Sequence, residues 1–207
     1  MYVPERFAET DPERLRAIMR AQPFATLVSL VGGELYATHV PLLLDADRGA
    51  HGTLLGHVAA ENRHHEAFDG RTPALAIFHG PHAYVSPRWY APGVPHVPTW
   101  NYVAVHATGP LVRIDAADRV LALLARLSAE FEPAEGGWTP PGVPAAYVDK
   151  LASRIVAFEL PIERIEAKRK LSQNMGRPDR RGVVTALADA KDDSARAIAA
   201  LMEATLA

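Results

Sequence analysis

Two β-rich runs, FATLVSLV and ELYATHVPLLLD, meet at Gly32-Gly33, and that junction constrains the fold more than any other feature of the chain. Glycine accepts the positive φ of a tight turn, so the two runs read as an antiparallel hairpin over 24–45. More short apolar runs follow. The pattern predicts strands at Thr53–Val58, at Pro73–His79, and at Ala83–Ser86 returning after a Gly80-Pro81 turn. The strongest run is TWNYVAVHATGPLVRI. Its alternation puts Trp100, Tyr102, Ala104, His106 and Thr108 on one face and Asn101, Val103, Val105 and Ala107 on the other. A last strand is expected at Arg154–Leu160, continuing towards Ile165. Hairpin connections without a βαβ rhythm point to an antiparallel barrel with peripheral helices, a mainly β chain, not a doubly wound sheet.

The helical signals fit around these strands. Thr10-Asp11-Pro12-Glu13 has capping-box spacing, and Leu15, Ile18 and Met19 carry a short helix to about Gln22. A short polar helix is expected near Glu61–Phe68. Val120, Leu123, Leu124, Leu127 and Phe131 mark an amphipathic helix over Ala116–Phe131. The C-terminal part predicts helices at Arg180–Ala190 and Ser194–Leu206. SPRWYAPGVPHVPTW, with four prolines, is a rigid aromatic loop, since proline removes ladder donors. EPAEGGWTPPGVP is a second loop.

Composition removes several function classes. Of 207 residues, 48% are hydrophobic, which supports a real core, and none is cysteine, which excludes disulfides, thiolate metal sites and a thiol nucleophile. A formal charge of −2 gives no general attraction to nucleic acid. The charged N-terminus lacks an apolar signal region and no apolar run approaches the ~18 residues of a membrane span, so a cytoplasmic protein is expected. The close histidine pairs, His64-His65 and His79-Gly80-Pro81-His82, match no standard zinc spacing, so no metal site is expected. G-x-S-x-G, the phosphate-binding GxxxxGK[ST] loop and the dinucleotide GxGxxG are absent. No catalytic residue is identifiable.

What remains is a polar and aromatic set: Thr38-His39, His57, Asn62, Ser86, Trp89-Tyr90, Trp100-Asn101-Tyr102 and Lys170-Leu171-Ser172-Gln173-Asn174. Each residue taken singly reads as core or turn cap. Together they could line a flat aromatic ligand, with rings for stacking, amides for its edges, and hydroxyls and imidazoles for a phosphate.

The segments MYVPERF, ATHVPLLLD, GHVAAENRH, FHGPHAYVSPRWY, VPTWNYVAVHATG and KLSQNMGRPDRRGVV run in order from residue 1 to about 185. In these the chain resembles the PaiB family, FMN-binding negative transcriptional regulators. It departs from the family pattern at Asn62-Arg63-His64-His65, where Asn-Pro-x-Trp is more usual, at Arg88, and at Met175 in place of an arginine. The resemblance implies an FMN-binding split β-barrel related to pyridoxamine-phosphate oxidases, occupying 1–166, with a C-terminal helical segment, 167–207, packed on it. It implies a cytoplasmic flavoprotein and a homodimer holding FMN in clefts between subunits. The cofactor-binding residues expected from it are Thr38, His39, His57, Asn62, Ser86, Trp100, Asn101, Tyr102, Lys170, Ser172 and Gln173. His57 and Asn62 are expected near the phosphate, and Thr38, His39 and Trp100–Tyr102 nearer the ring. The KLSQN string reads equally as a ligand contact or as a helix cap and loop brace.

Three functional readings stay open: a PaiB-type regulator, an FMN-dependent oxidoreductase of an unknown small substrate, and a flavin- or haem-linked sensor without turnover. His39, His79, His82 and His106 would be the haem-ligand candidates for the last. The basic residues Arg164, Lys168, Arg169, Lys170, Arg177, Arg180 and Arg181 cluster in sequence, but no basic recognition helix accompanies them, which disfavours direct DNA contact.

Overall fold

The computed structural model describes residues 1–93, 95–133, 135, 137, 148, 150 and 152–206. The described residues form eight strands: β1 Phe24–Val31, β2 Glu34–Pro41, β3 Leu43–Asp45, β4 Thr53–Ala59, β5 Asp69–Val85, β6 Thr99–Ile114, β7 Ile155–Pro161 and β8 Arg164–Lys170. The described α-helices are α1 Pro12–Ala21, α2 Ala117–Phe131, α3 Arg177–Ala188 and α4 Asp193–Glu203. The strands form one sheet in the order β2-β1-β5-β6-β7-β4-β3, with β8 paired to β6. No helix among the described residues is long and apolar enough to cross a membrane.

The hairpin forms as the glycines require. Its register runs from Phe24↔Pro41 to Val31↔Glu34, and Gly32 and Gly33 sit at φ 61° and 86°, the paired positive values of a tight two-residue turn. β6 alternates as expected, with Asn101, Val103, Val105 and Ala107 all buried.

Three expectations are corrected. Gly80-Pro81 makes no turn, and β5 continues unbroken from Asp69 to Val85. Gly80 is needed for close approach instead, since a Cβ there would sit 2.8 Å from Val103 Cβ and 3.0 Å from its carbonyl oxygen. The last expected strand is two strands. Pro161 cannot donate, and the next two N–H groups leave the ladder, Ile162 for the Gly52 carbonyl (3.0 Å) and Glu163 for that of Thr108 (2.9 Å). The polar helix near Glu61–Phe68 is a short 3-10 turn, Arg63–Ala67, capped by Asn62. Most of EPAEGGWTPPGVP lies outside the described residues.

Two compact units divide the chain. In the unit formed by Met19–Ile77 and Ala107–Ile165, α2 lays Leu123 and Leu127 on Leu43, Leu55, Ile114 and Ala157. Phe68 and Phe158 meet in the same unit at a tilt of 45°, with ring centroids 4.7 Å apart. Glu159, nearly buried, receives Arg48 (2.9 Å) and Arg119 (2.7 Å). In the unit formed by Met1–Ile18, Phe78–His106 and Glu166–Ala207, α3 and α4 bury Val183, Leu187, Ile198 and Met202 against Ala83, Val85 and Leu171. The chain ends are held there by side chains: Arg177 donates to the Leu206 carbonyl at 2.5 Å and Lys168 to that of Tyr2 at 3.3 Å.

Candidate functional site

The site residues expected from the sequence fall into both units. Thr38, His39, His57 and Asn62 belong to the unit containing Met19–Ile77. Two of them, Thr38 and Asn62, surround one histidine that the sequence did not single out as a site residue. His64 is fully buried, with Nε2 2.8 Å from Ser29 Oγ and Nδ1 2.9 Å from Thr38 Oγ1. Asn62 donates from Nδ2 to the same Thr38 oxygen (3.3 Å), and its Oδ1 accepts the His64 N–H (3.0 Å). The edge of Tyr36 and the tilted ring of Phe68 complete the surroundings of the imidazole. Burial holds the His64 pKa down at about 4, so the ring is neutral at pH 7 and offers one donor and one acceptor to the two hydroxyls.

His39 stands apart from that chain, exposed on β2, with Nδ1 3.1 Å from Thr26 Oγ1 and its ring beside Phe24. His57 lies on β4 opposite Ala157 of β7. Its Nδ1 is buried with no hydrogen-bond partner, and burial lowers its pKa. A buried polar atom without a partner is unfavourable in isolation, which marks the position as one that a ligand can satisfy.

Ser86, Trp100, Asn101, Tyr102, Lys170, Ser172 and Gln173 belong to the other unit. Ser86 caps the 3-10 turn Pro87–Trp89 through its hydroxyl, which accepts the Arg88 N–H at 3.3 Å. Trp100 is half exposed, and His82 and Tyr84 each lie with ring centroids 6.1 Å from its own, making an aromatic surface open to solvent. Tyr102 lies under Lys168, whose Nζ is 5.2 Å from the ring centroid.

Asn101 is fully buried and donates to Ser172 Oγ (2.9 Å) and Met202 Sδ (3.3 Å), tying β6 to α4. Ser172 is buried at φ 60°, the one non-glycine residue in the left-handed region among those described. The Gln173 amide is taken up by its own turn: Oε1 accepts the Leu171 N–H (2.7 Å) and Nε2 donates to the Arg169 carbonyl (2.5 Å). Lys170, at the end of β8, donates to Thr99 Oγ1 and to the Trp100 carbonyl (2.8 Å).

Lys170, Asn101 and Ser172 open onto a cleft of about 220 Å³ that Tyr90, His96, Val97, Thr99, Asn174 and Met175 complete. Sequence reasoning named Tyr90 only as part of the aromatic set and missed His96 and Thr99. Their sole signal was membership of the proline-rich aromatic loop or its immediate border.

Comparison with known proteins extends this picture. Residues 1–164 match the family described as "Putative FMN-binding domain". The chain is 32% identical over 211 residues to Protease synthase and sporulation protein PAI 2 of Bacillus subtilis (strain 168), covering 98% of this chain and 97% of that protein. It is 29% identical over 238 residues to the uncharacterized protein AN0679 of Emericella nidulans, covering 96% and 95%. Among solved structures, the flavocytochrome Anf3 from Azotobacter vinelandii superimposes with a TM-score of 0.65 at 18% identity, covering 95% of this chain and 78% of that one. The FAD and heme binding protein from Mycobacterium smegmatis gives a TM-score of 0.59 at 19% identity, over 79% and 73%. At such identities the likeness is one of fold, and the fold is the split β-barrel with added helices that the sequence implied.

Proposed function

This chain belongs to the PaiB-type FMN-binding family, and from that premise we propose that it is an FMN-holding protein that works as a homodimer and does not itself contact DNA. The match across residues 1–164 carries the reading, and the side chains are compatible with the cofactor. FMN presents a flat ring system with polar edges and a phosphate. His57 offers a buried Nδ1 that has no other partner, and Trp100, half exposed beside His82 and Tyr84, offers a ring face. We assign His57 to a polar atom of the cofactor, with exposed His39, of the same unit, at its margin. Thr38 and Asn62 act by holding His64 in place. Asn101, Ser172, Gln173 and Ser86 use their polar groups to brace the loops that carry the site.

When bound, FMN supplies one- and two-electron redox chemistry, while the protein supplies orientation and electrostatics. The neutral imidazoles of His57 and His64 place no extra positive charge inside their unit at pH 7. The dimer is supported by exposed apolar residues on β1 and β2: Phe24 is 66% exposed, Leu30 47% and Leu35 80%, more than a solvated edge strand needs.

Indirect regulation is supported by the fate of the basic cluster. Arg169 pairs with Glu9 (2.9 Å), Lys168 and Lys170 donate to carbonyls, and Arg177 and Arg180 hold the carbonyls of Leu206 and Thr205. Arg169 is neutralised by its ion pair, and Lys168, Arg177 and Arg180 are oriented by the chain's own carbonyls, so these residues do not present a free basic recognition helix.

The test is titration of FMN-free protein with FMN, read by flavin fluorescence, alongside light scattering at micromolar concentration. Saturable FMN binding by a dimer is expected, with no retardation of DNA. A monomer that leaves FMN fluorescence unchanged would overturn the reading.

A further inference from the structure

The cleft beside Lys170 has a chemistry of its own. Among its lining residues there is one fixed positive charge, Lys170, and no carboxylate. The ammonium has three N–H groups. Two go to neutral oxygens, Thr99 Oγ1 and the Trp100 carbonyl, which leaves a third for a ligand. Burial, and after it the charge of nearby Lys168, lowers the Lys170 pKa. An anion beside the ammonium would favour its charged form and act against both.

Asp179 acts on Tyr90 from outside the lining, and its carboxylate accepts the Ala91 N–H at 2.8 Å. The walls are Tyr90 and His96, with ring centroids 4.6 Å apart, together with Val97 and Met175. Ser172 also lines the cleft; its left-handed backbone is unusual for a serine, and its hydroxyl accepts from buried Asn101. Backbone held this way gathers at ligand clamps. At about 220 Å³ the space is below the range usual for large ligands. It suits one ring.

We propose that this cleft binds a small organic monoanion, a carboxylate carried on a single flat ring, with the carboxylate on Lys170 and the ring against the Tyr90–His96 pair. This goes beyond FMN binding, and its ligand contacts, Lys170, Tyr90 and His96, are not those assigned to FMN, so the two can fail separately.

The experiment is calorimetric titration of the purified protein, FMN-loaded and FMN-free in parallel, with benzoate and with its neutral analogue benzamide. Benzoate should bind saturably in both forms and about tenfold or more tighter than benzamide, as one charge-assisted hydrogen bond warrants. Lys170→Met should abolish that preference, Lys170→Arg should retain it, and His96→Ala should weaken both probes, with FMN content unchanged throughout. Equal affinity for benzoate and benzamide in the wild-type protein would overturn the proposal without recourse to any variant. So would displacement of benzoate by FMN, or a loss of FMN affinity relative to riboflavin in Lys170→Met, since either would assign the lysine to the cofactor. If FMN does not bind but benzoate preference persists, the cleft stands and the flavin reading falls.

Discussion

Replacing His64 with glutamine should remove a specific part of this protein's acid sensitivity. The native imidazole is fully buried between Ser29 and Thr38, and its pKa is held at about 4 against 6.5 for an unperturbed histidine. The unfolded chain therefore binds a proton that the folded protein refuses between these two values. Stability from this group is present above pH 6.5 and is lost as pH falls from 6.5 towards 4. At 1.36 kcal/mol for each tenfold ratio, the full loss is about 3 kcal/mol, of which about 2 kcal/mol is gone by pH 5. His57 shifts in the same direction, so wild-type acid sensitivity has more than one source, and comparison with the variant isolates that of His64. The assay is urea unfolding of wild-type and His64→Gln protein at pH 7.5 and pH 5. Glutamine lowers stability at pH 7.5 by disturbing the hydroxyl pair, but its loss on going to pH 5 should be about 2 kcal/mol smaller than that of the wild type. Equal losses in the two proteins would show that His64 does not resist protonation and would refute the buried neutral ring.

Other consequences are equally concrete. Val105, fully buried in β6, should cost roughly 1–3 kcal/mol on truncation to alanine, measured by thermal or urea unfolding. Gly109→Ala places a Cβ 2.0 Å from the Pro161 carbonyl oxygen, so it should destabilise by at least about 3 kcal/mol or prevent soluble expression. Gln173→Ala removes two hydrogen bonds within its own turn. It should lower stability of FMN-free protein by about 1–3 kcal/mol while FMN affinity holds. The converse, lost affinity at unchanged stability, would make Gln173 a cofactor ligand.

Features set by neighbours in sequence were the legible ones. Gly32-Gly33 needs nothing beyond its own backbone to turn, and the alternation of β6 is visible residue by residue. What could not be read depended on distant atoms. Gly80 looks like a turn residue until Val103 is seen against it. The break between β7 and β8 is enforced by carbonyls of Gly52 and Thr108, far away in the chain. His64 resembles a surface histidine next to His65, and only the approach of Ser29 and Thr38 explains its burial. In the KLSQN string the residue types were recognised, but not their division of labour. Ser172 and Gln173 turn inward to brace the loop, while Lys170 keeps an N–H for the cleft.

The central claim is that this chain holds FMN. FMN binding is tested most directly by denaturing the protein as purified and identifying the released chromophore by absorption and mass, with FMN-incubated protein measured alongside. The expected chromophore is FMN, near one per chain, with no Soret band before denaturation. Release of FAD, a haem spectrum, or protein that stays colourless after incubation with FMN would contradict it.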